Sequence, residues 1–331
     1  MEGTNNLFSQ FSELDKKELI SFLDNFYLHY RNNLNFNDNT LTFGIEIEFE
    51  KILLEEVEQL LINSNLKNWL TKKERSIITG GEINSTILND NQTNWLEIKK
   101  VCSILKENNA KISENCGGHV HFGSNILGDN YNSWLTFIKC IIAFEKVLFR
   151  FGYGEEVKER HSVRKFAYPV SYLLKEILYS ENIDFNNINT EKLLDIIKDR
   201  TSKRSSVSFQ KVNINDLNNI QDNTMEFRFP NGTIEEIIWQ NNINTLGKLL
   251  LAVKNDKIDI DIIDYLLKNI QKESNINVLL MDYGSIHLDT ALLFCDMVFD
   301  NDLDKLYFLR QYIKNSYKDT YQERQKKFII N

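Results

Sequence analysis

Leu41–Glu50 reads LTFGIEIEFE. Phe43, Ile45, Ile47 and Phe49 alternate with Gly44, Glu46, Glu48 and Glu50, and a period of two is that of a strand with one buried and one polar face. Carboxylates two residues apart on one strand face stand roughly 7 Å apart. Three in a row, with no Lys or Arg among them, repel one another unless they are solvated or share cations. The stretch is therefore either a solvated strand face or a polar face turned into a metal-filled cavity, and taken alone it favours neither.

Two later stretches repeat the pattern. Cys116–Gly123, CGGHVHFG, alternates Val120 and Phe122 with His119 and His121 behind two glycines that permit a close backbone approach. Asn223–Pro230 contains Thr224-Met225-Glu226-Phe227-Arg228. Placed side by side, the three strands would gather several carboxylates, an imidazole and a guanidinium. Hard divalent ions such as Mg²⁺ or Mn²⁺ favour carboxylate oxygens, tolerate an imidazole and leave positions for phosphate. An arginine beside them suits a transferring phosphoryl group, so the implied substrate is a nucleoside triphosphate. Each piece also has an ordinary reading: a structural HxH pair, a cross-strand Glu-x-Arg salt bridge, a turn at Gly80-Gly81-Glu82, a solvated basic loop, a buried Cys116. All of those accounts would have to hold at once.

The totals are those of a soluble globular chain: 331 residues, 42% hydrophobic, 39 Lys+Arg against 47 Asp+Glu. A net charge of −8 argues against general nucleic-acid binding. The start lacks the charged head and apolar run of a secretory signal, and no segment reaches the apolar length of a membrane helix. Cys102, Cys116, Cys140 and Cys295 form no CxxC pair, which fits reduced thiols and a cytoplasmic setting.

Along the chain, periodicity predicts an amphipathic helix over 7–31, a polar connector over 32–39, the acidic strand, and a helix over 55–70. An extended stretch over 74–88 turns at Gly80–Gly81, and a helix covers 95–108. After the HxH strand come a long helix over 134–152, a basic loop over 158–165, and a helix over 191–203. Strands at 205–212 and 223–230 precede a helical remainder from Ile234 onward. The basic face of 303–327 reads as solvated or, alternatively, as a site for an acidic partner.

FGIEIEFE, GGEINS, CGGHVHFG and TMEFRFPNGT, in that order, resemble the amidoligase family of the carboxylate–amine ligase superfamily that includes glutamine synthetase and glutamate–cysteine ligase. The resemblance spans about Leu41 to Asn242. It implies an α+β, glutamine-synthetase-like catalytic domain over 41–250, with a curved, mainly antiparallel sheet and flanking helices. An N-terminal helix and connector (1–40) precede it and a helical extension (251–331) follows.

The resemblance implies ATP and two or three Mg²⁺ or Mn²⁺ ions. Glu46 would share one metal with His119 and Glu226, and Glu48 another with Glu82 and Glu74. Arg228 would contact the transferred phosphate, and His121 the nucleotide or the groups around it. Phosphate-binding cations would come from among the basic elements Arg160–Lys165, with Arg160, Arg164 and Lys165, and Arg200–Arg204, with Lys203 and Arg204; the resemblance does not choose among them. Glu50 or Glu82 would take the proton of an entering amine. The chain departs from the family at Glu74, where Asp is common, and at Ser85-Thr86, where Ser-Pro is common.

The reaction so implied joins a carboxylate, of the γ-glutamyl class or another amino-acid type, to an amine through an acyl phosphate. Substrates would be small molecules or peptides, and a homo-oligomer stays open. Two alternatives stand beside it: an ATP-dependent phosphotransferase on a related fold, and a catalytically inactive ligase-like binding protein. A cupin-type metal centre is disfavoured, because the FGSN after His121 lacks the Glu that motif requires.

Overall fold

The computed structural model describes residues 7–75, 77–154, 156, 160, 162–178, 187–270 and 275–314. Its centre is a six-stranded sheet in the order β2-β3-β1-β4-β6-β5. The strands are β1 (Phe43–Glu50), β2 (Leu70–Lys72), β3 (Gly80–Asn84), β4 (Gly118–Gly123), β5 (Val207–Ser208) and β6 (Thr224–Phe227). Every neighbouring pair is antiparallel, so the α+β class and the antiparallel sheet are as the family resemblance implies. Gly80 and Gly81 open β3 instead of forming a turn. Gly80 has φ +138°, and a Cβ there would lie 2.0 Å from the Phe49 carbonyl oxygen, so only glycine fits where the two strands begin to pair.

The apolar side chains of the central strands form the floor of the core. Phe43, Ile45, Ile47, Phe49, Val120, Phe122, Met225 and Phe227 are all buried. Phe43 stacks on Trp95 of the helix Gln92–Glu107 at 5.2 Å between ring centroids, and Phe227 meets Phe137 of the helix Tyr131–Ala143 edge-on at 6.1 Å. With one face sealed by helices, the alternating polar residues are forced together on the other. The register of the sheet, not proximity in sequence, assembles the site.

Several helices end where the periodicity does not show it. The expected helix over 7–31 is only Glu13–Asp24, set by a capping box between Ser12 and Asp15. Beyond it the backbone is held by distant side chains: His29 by Tyr307, Arg31 by Gln240, and Leu34 and Phe36 by the two oxygens of Asp90. The long helix expected over 134–152 breaks at Phe144 into Tyr131–Ala143 and Glu145–Gly152. The break places the buried Glu145 carboxylate where it accepts from Val170 N, Ser171 N, Ser206 Oγ and Tyr283 OH. A short helix at Val163–Phe166 overlaps the end of the basic loop expected over 158–165, and a second at Val170–Leu178 lies in a stretch given no element from the sequence. The strand expected over 205–212 shrinks to two residues.

The first and last described segments share the core with the sheet. Asp296 accepts from the amides of Phe8 and Ser9, and Arg31 pairs with Asp304 at 2.6 Å. The central helix Glu236–Lys254 buries Gln240, Asn241, Asn244 and Lys248, whose polar ends meet the N-terminal segment and the helix Asp302–Ile313. The basic face expected to be solvated in 303–327 is buried in its described part: Lys305 pairs with Asp296, and Arg310 donates to the Phe26 carbonyl. The rest of that face lies outside the described residues. Among the described residues no single helix is long and apolar enough to cross a membrane.

Candidate metal and phosphate site

Three rows cross the polar face of the sheet. Lys72, Glu82 and Glu48 are partners across β2, β3 and β1; Leu70, Asn84, Glu46 and His119 run across β2, β3, β1 and β4; Gly44, His121, Glu226 and Ser208 run across β1, β4, β6 and β5. The strand patterns therefore bring Glu46, Glu48, Glu82, His119, His121 and Glu226 onto one surface. Glu48, Glu82, His119 and Glu226 are buried, and Glu46 and His121 keep side-chain exposures of 18% and 13%.

Glu46 lies at the centre. One oxygen sits 2.8 Å from His119 Nδ1 and the other 3.0 Å from His121 Nε2. Burial alone would raise its pKa, but the hydrogen bonds and charges of the two imidazoles hold it well below the usual carboxylate range. His119 Nδ1 is also 3.6 Å from Glu226, and its Nε2 is 3.8 Å from Glu48. Glu48 accepts the Gly117 amide at 2.6 Å. A Cβ on Gly117 would stand 2.7 Å from His119 Nε2 and 3.1 Å from an Arg160 nitrogen. The glycine before the HxH motif thus lets backbone and imidazole share one space. Glu82 responds differently from Glu46: burial and the charge of Glu46 raise it, and Lys72 at 3.2 Å only partly compensates.

Excess acid in a region shielded from water costs free energy unless cations are supplied. Ligand atoms of Glu46, His121 and Glu226 lie within 4.8 Å of one another. A hard oxygen set with one imidazole fits Mg²⁺ or Mn²⁺. His121, which the family resemblance places by the nucleotide, thus stands at least as near a ligand position as His119. Glu48 and Glu82 face each other across β1 and β3, but among the described residues no third ligand completes a comparable group with them. Glu74 sits in the loop after β2, close enough for its charge to act on Lys72. Glu50 ends the acidic row, where its charge reaches Cys116.

Arg228 leaves β6 at the edge of the cluster. Its guanidinium donates to Glu226 and to the Phe166 carbonyl, and its amide to the Ser206 carbonyl. Arg164 and Lys165 flank Phe166 and are exposed, as are Lys203 and Arg204. The Arg204 guanidinium lies 5.3 Å from the Phe166 ring, and the Tyr168 amide donates to the Arg204 carbonyl. Two basic segments distant in sequence are therefore neighbours, joined to the cluster through Arg228. Arg160 differs from them: it is 4% exposed, and its guanidinium is spent on the carbonyls of Arg228, Phe229 and Pro230 and on Ser162. Burial depresses it to about 10. It fastens the end of β6 and offers little to a phosphate.

A cleft of about 140 Å³ opens on the cluster, walled by Glu46, Asn84, His121, Thr224 and Lys211, and another cavity of about 430 Å³ is walled by Cys116, Arg160, Asn231 and Glu235. Cys116 is no ready nucleophile, since burial pushes its thiol up to about 11. Lys72, Asn84, Thr224 and Ser208 had no signal of their own in the sequence. They follow only from register.

No curated protein matches the chain. Among solved structures it is similar to a bifunctional glutathione synthetase from Pasteurella multocida, with a TM-score of 0.37 and 8% identity over 96% of this chain. It spans about half of that synthetase, 54% of its length. Residues 61–250 match the family described as "Putative amidoligase enzyme". That range, more than half of the chain, takes in β2 to β6 and leaves β1 to be placed by its pairing with β3 and β4. The chain belongs to this amidoligase family.

Proposed function

We propose that the protein is an ATP- and divalent-metal-dependent amidoligase of glutamine-synthetase-like design, joining a carboxylate to an amine through an acyl phosphate. The observation that carries this reading is the single surface holding Glu46, Glu48, Glu82, His119, His121 and Glu226, with Arg228 at its edge. A binding protein gains nothing from concentrating buried acids at a cost in stability.

Hydroxide is a poor leaving group, so the carboxylate oxygen attacks the γ-phosphorus of ATP, ADP leaves, and the amine then displaces phosphate from the acyl carbon. Divalent ions, when bound by Glu46, His121, Glu226 and the neighbouring acids, would neutralise polyphosphate charge. Arg228, anchored at Phe166 and Ser206, presents its guanidinium to the transferred group. Arg164, Lys165, Lys203 and Arg204 supply positive charge for the rest of the polyphosphate. Glu82 or Glu50 would take the proton lost by the amine, Glu82 only while it holds no divalent ion. The cleft that opens on the cluster gives room for a substrate group. A carboxylate of the γ-glutamyl class and a small-molecule or peptide amine are the substrates the family suggests. Four free, buried cysteines suit a reducing, cytoplasmic setting.

The test is phosphate release from ATP with Mn²⁺ against a panel of amino acids and amines, with mass spectrometry of the products. Phosphate released in step with a product one water lighter than its two parents, and lost in Glu46→Gln, supports the ligase. Transfer of phosphate to a stable acceptor would favour a phosphotransferase. Metal and ATP binding by a folded protein that turns over no member of the panel would leave the ligase-like binding protein as the better account.

A further inference from the structure

Lys72 is the cation that the sheet itself places beside the acid cluster. It ends the three-residue strand β2, and its register opposite Glu82 puts Lys72, Glu82 and Glu48 in one row. The Lys72 ammonium lies 3.2 Å from Glu82, and the charges of Glu46 and Glu74 also act on it. Glu48 and Glu82 are the facing carboxylates of this row, and Glu74 lies near enough for its charge to reach Lys72.

The partners are unequally exposed. The Lys72 side chain is 61% exposed and that of Glu82 3%. The ammonium can return to water at little cost, as exposed ion pairs contribute little. The Glu82 carboxylate cannot, and it needs a cation in place of the one that leaves.

We propose, resting on the metal-dependent reading above, that Lys72 is a tethered counter-cation that competes with a divalent ion for Glu82 and swings out when the ion binds. The exchange puts two positive charges where one stood, next to Glu82 and Glu48, and needs no rearrangement of the sheet. It sets a threshold, so that a weakly held monovalent ion does not displace the lysine and a divalent ion does. Lys72 is then specificity-determining for the metal and is not itself a catalytic residue.

The experiment is calorimetric titration of the full chain with Mn²⁺, without nucleotide, in wild type, Lys72→Met, Glu82→Gln and the double variant. Removing the competing charge is expected to tighten one Mn²⁺ site about tenfold, equivalent to about 1.4 kcal/mol. The effect of Lys72→Met should vanish when Glu82→Gln is already present, which assigns the coupling to this pair. Unchanged or weaker Mn²⁺ binding in Lys72→Met, with normal binding by wild type, would overturn the exchange while leaving the metal site intact. Failure of wild type and Lys72→Met alike to bind Mn²⁺ would overturn both the exchange and the metal-dependent reading. Lys72 is largely exposed, so the variant should fold, with a far-ultraviolet circular-dichroism spectrum like that of wild type, but without Mn²⁺ it should unfold at a lower midpoint because the buried Glu82 has lost its counter-cation.

Discussion

Glu145→Gln tests whether the break in the long helix exists to seat a buried acceptor. In the wild type one oxygen of Glu145 takes Val170 N and Ser206 Oγ, and the other takes Ser171 N and Tyr283 OH. A glutamine keeps one of those oxygens and turns an NH₂ toward the other pair of donors. A hydroxyl can rotate to accept from it, but a backbone amide cannot; Val170 N still has Ser206 Oγ at 3.1 Å, whereas Ser171 N donates to Glu145, so the NH₂ turns toward Val170 and Ser206 and the variant loses an acceptor without stranding a backbone donor. Losing one such hydrogen bond costs about 0.5–1.5 kcal/mol. The cost should depend on pH. Burial raises the Glu145 carboxyl above its ordinary value of 4.5, so the folded protein binds that proton more tightly than the unfolded chain. Its contribution to stability is full below pH 4.5 and is lost as pH rises through the raised value. Glutamine has no such term, so the gap between wild type and variant should be widest at acid pH and narrow as pH rises. Urea unfolding across a pH series measures it. A variant as stable as wild type throughout, or a gap that widens with pH, would refute the reasoning.

The two kinds of basic residue should separate cleanly. Lys165→Ala and Arg204→Ala should raise the KM for ATP up to about fivefold with little change in Tm, since an exposed ion pair contributes about 0.2–1 kcal/mol. Arg160→Ala should lower stability by about 1–3 kcal/mol, because its guanidinium is what satisfies the carbonyls at the end of β6; thermal unfolding tells the classes apart. Gly117→Ala should weaken Mn²⁺ binding about tenfold or more by pushing His119 aside, as read by calorimetry. Gly80→Ala should cost more than about 1 kcal/mol, since both its φ and the Phe49 carbonyl oppose a side chain, and denaturant unfolding measures the loss.

The polar face was legible because strand alternation is local: Glu46 and Glu48, His119 and His121, and Glu226 and Arg228 each announce themselves within a few residues. Their union was legible only as a conjunction, since nothing in the sequence gives the order β3-β1-β4-β6. Lys72 escaped notice because a three-residue strand has no periodicity to read. The helix over 7–31 was overextended for a related reason. Its apolar spacing continues through Phe26 and Tyr27, but the backbone beyond Asp24 is claimed by Tyr307, Gln240 and Asp90, contacts that span up to 278 residues. Arg160 shows how composition misleads. It sits in the most basic stretch of the chain, yet its neighbours in space are carbonyls, so it behaves as a structural clamp. Likewise Lys305 and Arg310 read as a solvated face and are buried by the N-terminal segment and Asp296.

The most direct test of the central claim follows an oxygen atom. With a carboxylate substrate labelled with ¹⁸O, attack on ATP puts one labelled oxygen on phosphorus, and breakdown by the amine must carry it into inorganic phosphate. One ¹⁸O in the released phosphate, together with an amide product one water lighter than its parents, is the result the account predicts. Phosphate that leaves unlabelled while the label stays wholly in the carboxylate would contradict it, since ATP would then be cleaved without an acyl phosphate.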